Sequence, residues 1–370
     1  MSANCLFLIP LPLSHIPYPI YAQERNTVMT FKVTRGTNIS HWLSQSQRRG
    51  AERRAFFTQA DVQRIAELGG GKLDHIRLPI DEEQMWDEIG DRQAEAFDLL
   101  DAALDWCEEA GLKVIVDLHL LRTHHFLDEE EPRLFSDPRE EGRFAGLWRE
   151  LSAHMDDRST DLVACELLNE AVARDPADWN RVAMAAYHAI REQEPERTIV
   201  LGSNWFNQHH TFRDLRVPED DDLILTFHYY FPMFITHYTA PWWADGGAYT
   251  GPIRYPGKPI ARKDLAALDD DLRKGIKAKG LNRSFGPEAM VEDLTQPLAV
   301  RGETRLPLYC GEFGCFDRTP DPLRRAWYRD ILAVFREYDI AWANWDYKGS
   351  FGIVDQEGNP TAVADVLLGD

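Results

Sequence analysis

Short apolar runs rich in β-branched and aromatic residues recur along the chain, and a polar or helical segment separates each run from the next. Such runs predict β-strands, and near-continuous hydrophobicity is typical of parallel strands that are buried on both faces. There are eight runs, at residues 31–39, 73–80, 113–119, 162–170, 198–202, 223–230, 306–314 and 340–346. The pattern therefore predicts eight strands.

The segments between these runs carry apolar residues every three to four positions, which predicts amphipathic helices. The longest spans about residues 91–110 and stops at Gly111, while another begins at Thr58, where Asp61 completes a capping pair. Further helices are predicted near 138–154, 177–193, 321–337 and 361–368. Most predicted strands are thus followed by a helix.

This alternation, without a second block of different composition, predicts an α/β fold consisting of one (β/α)₈ TIM barrel. A doubly wound sheet would require a glycine-rich turn after the first strand. Residues 35–38 read Arg-Gly-Thr-Asn instead, and the glycines at 69–71 precede a strand. We predict a single barrel domain over residues 29–370.

One segment breaks the alternation of strands and helices. Residues 231–305 separate strand six from strand seven, and these 75 residues are far more than one connecting helix requires. Nine aromatic side chains within residues 229–255 argue against disorder, and residues 262–279 have the pattern of a charged helix. We predict a long aromatic-rich insertion after strand six that forms a lid or wall at one end of the barrel.

The composition excludes several classes of partner. The chain has 41 Lys and Arg residues against 61 Asp and Glu residues, a formal net charge of −20. This charge repels phosphate, which argues against nucleic acids and anionic membranes as partners. The five cysteines include no CxxC pair and are predicted to be core thiols. No feature of the sequence indicates an oligomeric state.

Residues 1–28 form a predicted N-terminal extension with an apolar run at 5–21. Four prolines interrupt this run, so it is not expected to form a membrane-spanning helix. Two interpretations stay open. In the first, residues 1–22 act as the signal peptide of a secreted or periplasmic protein; in the second, Met29 is the natural start of a cytoplasmic protein.

Polar side chains stand at or near the C-terminal ends of the predicted strands. In a barrel of parallel strands all these ends open onto one face, which carries the active site. The topology therefore brings together Arg77, His119, Asn169, Glu170, His228, Tyr230, Glu312 and Trp345.

Two of these residues are glutamates, Glu170 at the end of predicted strand four and Glu312 at the end of predicted strand seven. Paired carboxylates across a pocket carry out glycoside hydrolysis, one as the acid and the other as the nucleophile or base. The alternative is that each is only an ion-pair partner, the role we expect for Glu166. The polar neighbours at matching strand ends favour the catalytic interpretation.

Six short stretches resemble glycoside hydrolase family 5, the cellulase-like retaining β-glycosidases, and the resemblance covers the chain from about Arg35 to Phe351. They are RLP (77–79), VDLH (116–119), LLNE (167–170), FHYY (227–230), YCGEFG (309–314) and WANWD (342–346). The resemblance implies double-displacement hydrolysis of β-glucan-type oligo- or polysaccharides, as in endo-β-1,4-glucanases. It implies Glu170 as the acid/base, Glu312 as the nucleophile, and no cofactor.

The resemblance also implies roles for the neighbours of this pair. Arg77 and Tyr230 would keep Glu312 ionised and oriented, and Asn169 would bond the sugar 2-hydroxyl. The family's acid/base motif usually reads Asn-Glu-Pro, but Ala171 stands in place of the proline. This difference bears on the substrate more than on the reaction.

Aromatic and histidine side chains complete the predicted substrate site. The resemblance implies that His119 and His228 line the subsite where the bond breaks and that Trp345 forms its floor. Three further tryptophans follow strand five or lie in the insertion, and they are candidates for stacking on sugar rings: Trp205, Trp242 and Trp243.

Other functions remain as alternatives. A metal site involving His119, His124 and His125 is not predicted, because no HxH or HExxH spacing is present. Within the same family, a β-mannanase or an exo-β-glucosidase is the alternative to an endoglucanase. A non-catalytic carbohydrate-binding barrel is the alternative of another class, and the pair of glutamates argues against it.

Overall fold

A closed barrel of eight parallel strands forms the centre of the computed structural model, which describes Met29, residues 31–127 and residues 130–369. Each strand pairs with the next along the chain, and the last pairs with the first. The strands are β1 Arg35–Asn38, β2 His75–Asp81, β3 Lys113–Leu120, β4 Val163–Glu166, β5 Ile199–Gly202, β6 Leu223–Tyr229, β7 Leu308–Phe313 and β8 Ala341–Asn344. The predicted (β/α)₈ barrel is confirmed. The predicted extension at residues 1–28 lies outside the described residues.

Helices surround this barrel. Over the described residues they are α1 Gly50–Phe56, α2 Gln59–Glu67, α3 Glu82–Met85, α4 Ala94–Ala110, α5 Arg133–Ser136, α6 Pro138–His154, α7 Pro176–Arg191, α8 Asn204–Asn207, α9 Met233–Thr236, α10 Arg262–Ala266, α11 Asp270–Ala278, α12 Pro287–Asp293, α13 Thr295–Thr304, α14 Asp321–Glu337 and α15 Ala364–Leu367. Short 3₁₀ helices span Leu68–Gly70 and His209–Asp214. In the described part of the chain, none of the helices has the length and apolar character needed to cross a bilayer.

Local sequence explains where several helices begin and end. The predicted capping box at α2 is present, and the Thr58 N–H donates to Asp61 Oδ2 at 3.0 Å. Helices α6 and α7 both start with an Asp-Pro pair, in which Asp137 or Asp175 accepts a backbone hydrogen bond and the proline has no N–H to satisfy. Helix α4 ends at Gly111, which has a left-handed φ of 71°.

The barrel interior changes from apolar to charged along its axis. An apolar cluster that includes Phe31, Ile115 and Val200 fills the N-terminal end. The side chain of Arg77, two residues after the buried His75 in β2, is fully buried in an ion-pair network. A charged layer therefore lies directly beneath the C-terminal face of the barrel.

The insertion between β6 and β7 carries helices α9–α13 and has its own hydrophobic cluster, which is joined to the barrel by Phe316 and Phe351. The helix predicted over 262–279 is two helices, because Asp269 accepts hydrogen bonds from the next turn and starts α11 as a new helix. Helices α12 and α13 were not predicted.

Candidate active site

The predicted site residues converge at the C-terminal end of the barrel. Glu170 and Glu312 each place one carboxylate oxygen within 4.8 Å of the other, and His228 Nδ1 lies within the same distance of both. The strand pairing shifts register between Phe227 and His228 and again between Cys310 and Phe313. Such irregularities re-aim side chains and are common beside active sites.

Arg77 is the cation beneath this pair. Its guanidinium donates to Glu312 Oε1 at 2.8 Å, to Glu166 at 2.7 and 3.0 Å, and to the side-chain oxygen of Asn169 at 2.9 Å. It also lies 3.0 Å from Asp117. Glu166 is thus an ion-pair partner, as expected from the sequence. One buried cation faces three buried carboxylates, so the network favours proton retention on some of them.

The pKa values of the two lower carboxyls agree with this charge count. Burial raises the pKa of Asp117 to about 7 and that of Glu166 to about 7, although Arg77 acts to lower both. Asp117 was not predicted as a site residue. The available signal was its position two residues before His119, which puts both side chains on one face of β3.

Glu312 is held from two sides. Arg77 contacts one oxygen, and the Tyr230 hydroxyl donates to the other at 2.9 Å. Burial raises the pKa of Glu312, and the contacts from Arg77 and Tyr230 oppose this rise. These contacts all favour the ionised form of Glu312.

Glu170 has a more strongly raised pKa than Glu312. Burial raises its pKa well above the ordinary value, and the negative charge of Glu312 raises it further. The pair therefore holds its proton on Glu170, the division of roles that an acid and a carboxylate require. Glu170 also has a left-handed backbone with a φ of 44°, which is uncommon outside glycine.

The turn after Glu170 contains no proline and is instead held by hydrogen bonds from the loop that follows β5. Ala171 is fully buried, and its carbonyl accepts a hydrogen bond from the Phe206 N–H at 3.1 Å. The Asn204 side chain accepts from the Ala173 N–H at 2.9 Å and donates to the Ala173 carbonyl at 2.8 Å. These contacts hold the Asn-Glu-Ala turn against the loop after β5.

His119 and His228 reach the site, but they are only 1% and 3% exposed, so little of either ring faces the open cleft. His119 Nδ1 lies 2.6 Å from Asp117, and its ring stacks on Trp345 with the centroids 5.8 Å apart. Burial lowers the pKa of His119 to about 4 and that of His228 well below its ordinary value. Both rings are therefore neutral near pH 7.

The three tryptophans proposed for stacking differ in exposure. Trp205 and Trp242 are 46% and 45% exposed, so each presents a free ring surface. Trp243 is 8% exposed and packs against Phe234 inside the insertion, with the ring centroids 4.8 Å apart. Trp243 is a core residue, which corrects the expectation that it stacks on sugar.

Within the described residues, one group of side chains has the proximity of potential metal ligands: Glu170, His228 and Glu312. His228 Nδ1 lies 2.9 Å from Glu170 Oε1, which is a hydrogen-bond distance. Of the histidines considered from sequence, His124 is buried in contact with the Phe135 ring and is not part of this group. Within this group, His228 and Glu170 form a hydrogen bond, while His228 Nδ1 lies 3.7 Å from Glu312 Oε2.

Comparison with known proteins agrees with this geometry. The family model described as "Cellulase (glycosyl hydrolase family 5)" matches residues 36–350. Endoglucanase C of Acetivibrio thermocellus is 31% identical over 340 residues, which cover 90% of this chain and 96% of the relative. Cellodextrinase A of Ruminococcus flavefaciens is 29% identical over 314 residues, which cover 84% of each chain.

A solved structure of a hyperthermophilic endo-β-1,4-glucanase in complex with substrate has the same fold. It superimposes with a TM-score of 0.72 at 17% identity and covers 91% of this chain and 97% of its own. The family match, the endoglucanase relatives and the closed barrel agree with one another. The chain belongs to glycosyl hydrolase family 5, the cellulase family, and is a glycoside hydrolase.

Proposed function

We propose that this enzyme is an endo-β-1,4-glucanase-like hydrolase in which Glu170 is the acid/base and Glu312 is the nucleophile. The observation that carries the proposal is the short separation between the two carboxylates, each of which has an oxygen within 4.8 Å of an oxygen of the other. Retaining glycosidases place their carboxyl groups about 5–5.5 Å apart, whereas inverting enzymes need about 6.5–9.5 Å to admit a water. The separation favours retention.

In the first step a carboxylate oxygen of Glu312 attacks the anomeric carbon while Glu170 gives its proton to the glycosidic oxygen. The bond between that carbon and the leaving oxygen breaks, and a covalent glycosyl-enzyme forms. The contacts from Arg77 and Tyr230 keep Glu312 ionised before the attack.

In the second step water attacks the anomeric carbon, Glu170 accepts the water proton, and the carboxylate of Glu312 is released. Esterification removes the negative charge of Glu312, which is one cause of the raised pKa of Glu170. The pKa of Glu170 therefore falls when it has to act as a base.

Neighbouring side chains fit supporting roles. The carboxamide oxygen of Asn169 accepts a hydrogen bond from Arg77. The NH₂ group of Asn169 is therefore left to donate to a sugar 2-hydroxyl. Trp345, stacked on His119, offers a ring as the floor of the cleavage subsite. The exposed rings of Trp205 and Trp242 suit stacking on further sugar units.

The substrate class rests on the relatives, whose names are endoglucanase and cellodextrinase. We expect hydrolysis of aryl β-glucosides, aryl β-cellobiosides and soluble β-1,4-glucan. Aryl β-mannosides, aryl β-galactosides and β-mannan serve as comparison substrates. A higher kcat/KM on β-mannan than on β-glucan would contradict the proposed substrate.

The catalytic roles are tested by substitution at the two glutamates. Glu312→Gln and Glu170→Gln are each expected to abolish hydrolysis of unactivated substrates. Azide should restore turnover of Glu170→Ala on a 2,4-dinitrophenyl β-glycoside, giving a β-glycosyl azide. Near wild-type turnover in either Gln variant would contradict the assignment, and an α-glycosyl azide would contradict retention.

A further inference from the structure

His228 contacts Glu170 through one ring nitrogen, and its other ring nitrogen faces Asn207. Nδ1 of His228 lies 2.9 Å from Glu170 Oε1, and Nε2 lies 3.5 Å from the Asn207 side-chain nitrogen. Asn207 is fully buried and His228 nearly so. The Asn207 carboxamide therefore belongs to a buried chain of polar groups that ends on Glu170.

The backbone that delivers Asn207 to this position is strained. Trp205, Phe206 and Asn207 have φ values of 55°, 63° and 50°, three consecutive left-handed residues that are not glycine. Asparagine tolerates this region, but for other residues it costs about 1–2 kcal/mol each. Beneath the turn, a Cβ added to Gly202 would lie 2.7 Å from the Asn207 carboxamide. The packing around Asn207 thus requires a glycine on the adjacent strand.

The carboxamide oxygen of Asn207 has no hydrogen-bond partner among the described residues, although it is buried. Such an orphaned acceptor is costly. The oxygen and nitrogen ends of a carboxamide have nearly the same shape, so a half-turn of the amide exchanges them. The half-turn places Oδ1 opposite His228 Nε2, where it can accept a hydrogen bond.

We propose that Asn207 is a positioning residue that holds the ring proton of His228 on Nε2. The Nε2–H group donates to Asn207 Oδ1, so Nδ1 carries a lone pair and accepts the O–H of protonated Glu170. A neutral imidazole has one ring proton, so its location on Nε2 decides the role of Nδ1. This inference rests on the proposed role of Glu170 as the acid/base.

The tautomer matters because it selects the protonation state of Glu170. With the proton on Nδ1, the ring would donate to the Glu170 carboxylate and favour its ionised form, which is wrong for a general acid. With the proton on Nε2, the lone pair on Nδ1 favours the carboxylic acid. The strong lowering of the His228 pKa by burial agrees with a neutral ring.

The same tautomer serves both steps of the reaction, so no proton has to move within the ring. In the first step the Glu170 proton passes to the leaving glycosidic oxygen. In the second step a water proton passes to the Glu170 carboxylate, which the facing lone pair has made more basic. The titratable groups that also act on Glu170 or His228 are Glu312, Arg77, Asp117 and His119.

The kinetic test uses Asn207→Leu, which keeps the approximate volume and removes the acceptor. The His228 proton should then move to Nδ1, and the alkaline limb of kcat/KM, which reports Glu170, should shift to lower pH by about one unit, the equivalent of one hydrogen bond. Turnover of aryl glycosides with poor leaving groups should fall more than turnover of 2,4-dinitrophenyl glycosides.

Asn204→Leu is the matched control, because Asn204 holds the same turn through Ala173. Asn204→Leu should lower the stability of the enzyme and reduce turnover of both kinds of aryl glycoside by the same factor, while the alkaline limb of kcat/KM stays at its wild-type pH. An alkaline limb that does not move in folded Asn207→Leu would overturn the proposal.

The tautomer itself is read from the wild-type enzyme by ¹⁵N NMR of the histidine ring nitrogens, with His228→Gln used to assign the signals. We expect a protonated Nε2 and an unprotonated Nδ1 in His228 at neutral pH. A protonated Nδ1 would overturn the proposal whether or not the variants fold. If the wild type hydrolyses no β-glycoside, the proposed function fails, while this spectrum still reports the tautomer.

Discussion

Tyr230→Phe is the most direct test of how Glu312 is kept ionised. The substitution removes a single hydroxyl, which donates to Glu312 Oε2 at 2.9 Å, and leaves the ring that packs against His237 and Phe351. Arg77 still contacts the other carboxylate oxygen. The substitution therefore changes the pKa of Glu312 with little effect on packing.

The size of the effect follows from the hydrogen bond. A bond to a charged group contributes about 1.5–3 kcal/mol. One pKa unit corresponds to about 1.36 kcal/mol, so loss of the bond raises the pKa of Glu312 by about one to two units. Because Glu312 must be ionised in the free enzyme, the acid limb of kcat/KM moves to higher pH by that amount.

The assay is the pH dependence of kcat/KM on an aryl β-glucoside, with thermal unfolding measured on the same samples. Tyr238→Phe is the matched control, because its hydroxyl donates to the Thr250 carbonyl at 3.0 Å in the insertion and does not contact either glutamate. The control should keep the wild-type acid limb. If Tyr230→Phe also keeps it at an unchanged unfolding temperature, the hydroxyl does not control Glu312 and the reasoning is wrong.

The remaining predictions concern the tryptophans, a buried histidine and the second chemical step. Trp243→Ala should lower the free energy of unfolding by about 3–5 kcal/mol, measured in urea, whereas Trp242→Ala should raise KM for cello-oligosaccharides with a smaller loss of stability. Burial lowers the pKa of His124 to about 3, so between pH 8 and pH 5 only the unfolded chain takes up this proton. As the pH falls from 8 to 5, the unfolding free energy of His124→Leu should therefore rise by about 2 kcal/mol relative to that of the wild type. Equal slopes of unfolding free energy against pH in the two proteins would contradict this. On a 2,4-dinitrophenyl β-glycoside, for which deglycosylation is expected to limit turnover, kcat should fall at acid pH with an apparent pKa above the ordinary glutamate value; a pH-independent kcat would contradict it.

The fold could be predicted because its strands are buried on both faces and appear as apolar runs. In a barrel, the C-terminal ends of all strands lie on one face. The positions of Arg77, Glu170 and Glu312 along the predicted strands were therefore enough to predict that the three side chains lie close together. Helices α12 and α13 were missed because α12 is only seven residues long and Pro297 lies in the first turn of α13.

The site residues that were missed or misjudged depend on contacts that spacing does not contain. Asp117 reaches the reacting groups through Arg77 and His119, and Asn207 reaches them through His228. Trp242 and Trp243 are neighbours of identical type, yet one is half-exposed and the other buried. The fold of the insertion decides between them, and neither residue's type nor its position along the chain carries that information.

The two largest causes of the raised pKa of Glu170 differ in whether they persist through the reaction. Burial is the larger cause, and it persists in the glycosyl-enzyme because the sugar occupies the same site. The charge of Glu312 is the smaller cause, and esterification removes it. The pKa of Glu170 should therefore fall between the two steps without reaching its ordinary value. Glu170 then stays protonated as the acid of the first step, but it is only partly ionised at low pH as the base of the second. The acid-side dependence of the second step should therefore come from Glu170, whereas that of the first step comes from Glu312, which must be ionised to attack. It also follows that an added positive charge near Glu170 would speed the second step at low pH at the expense of the first.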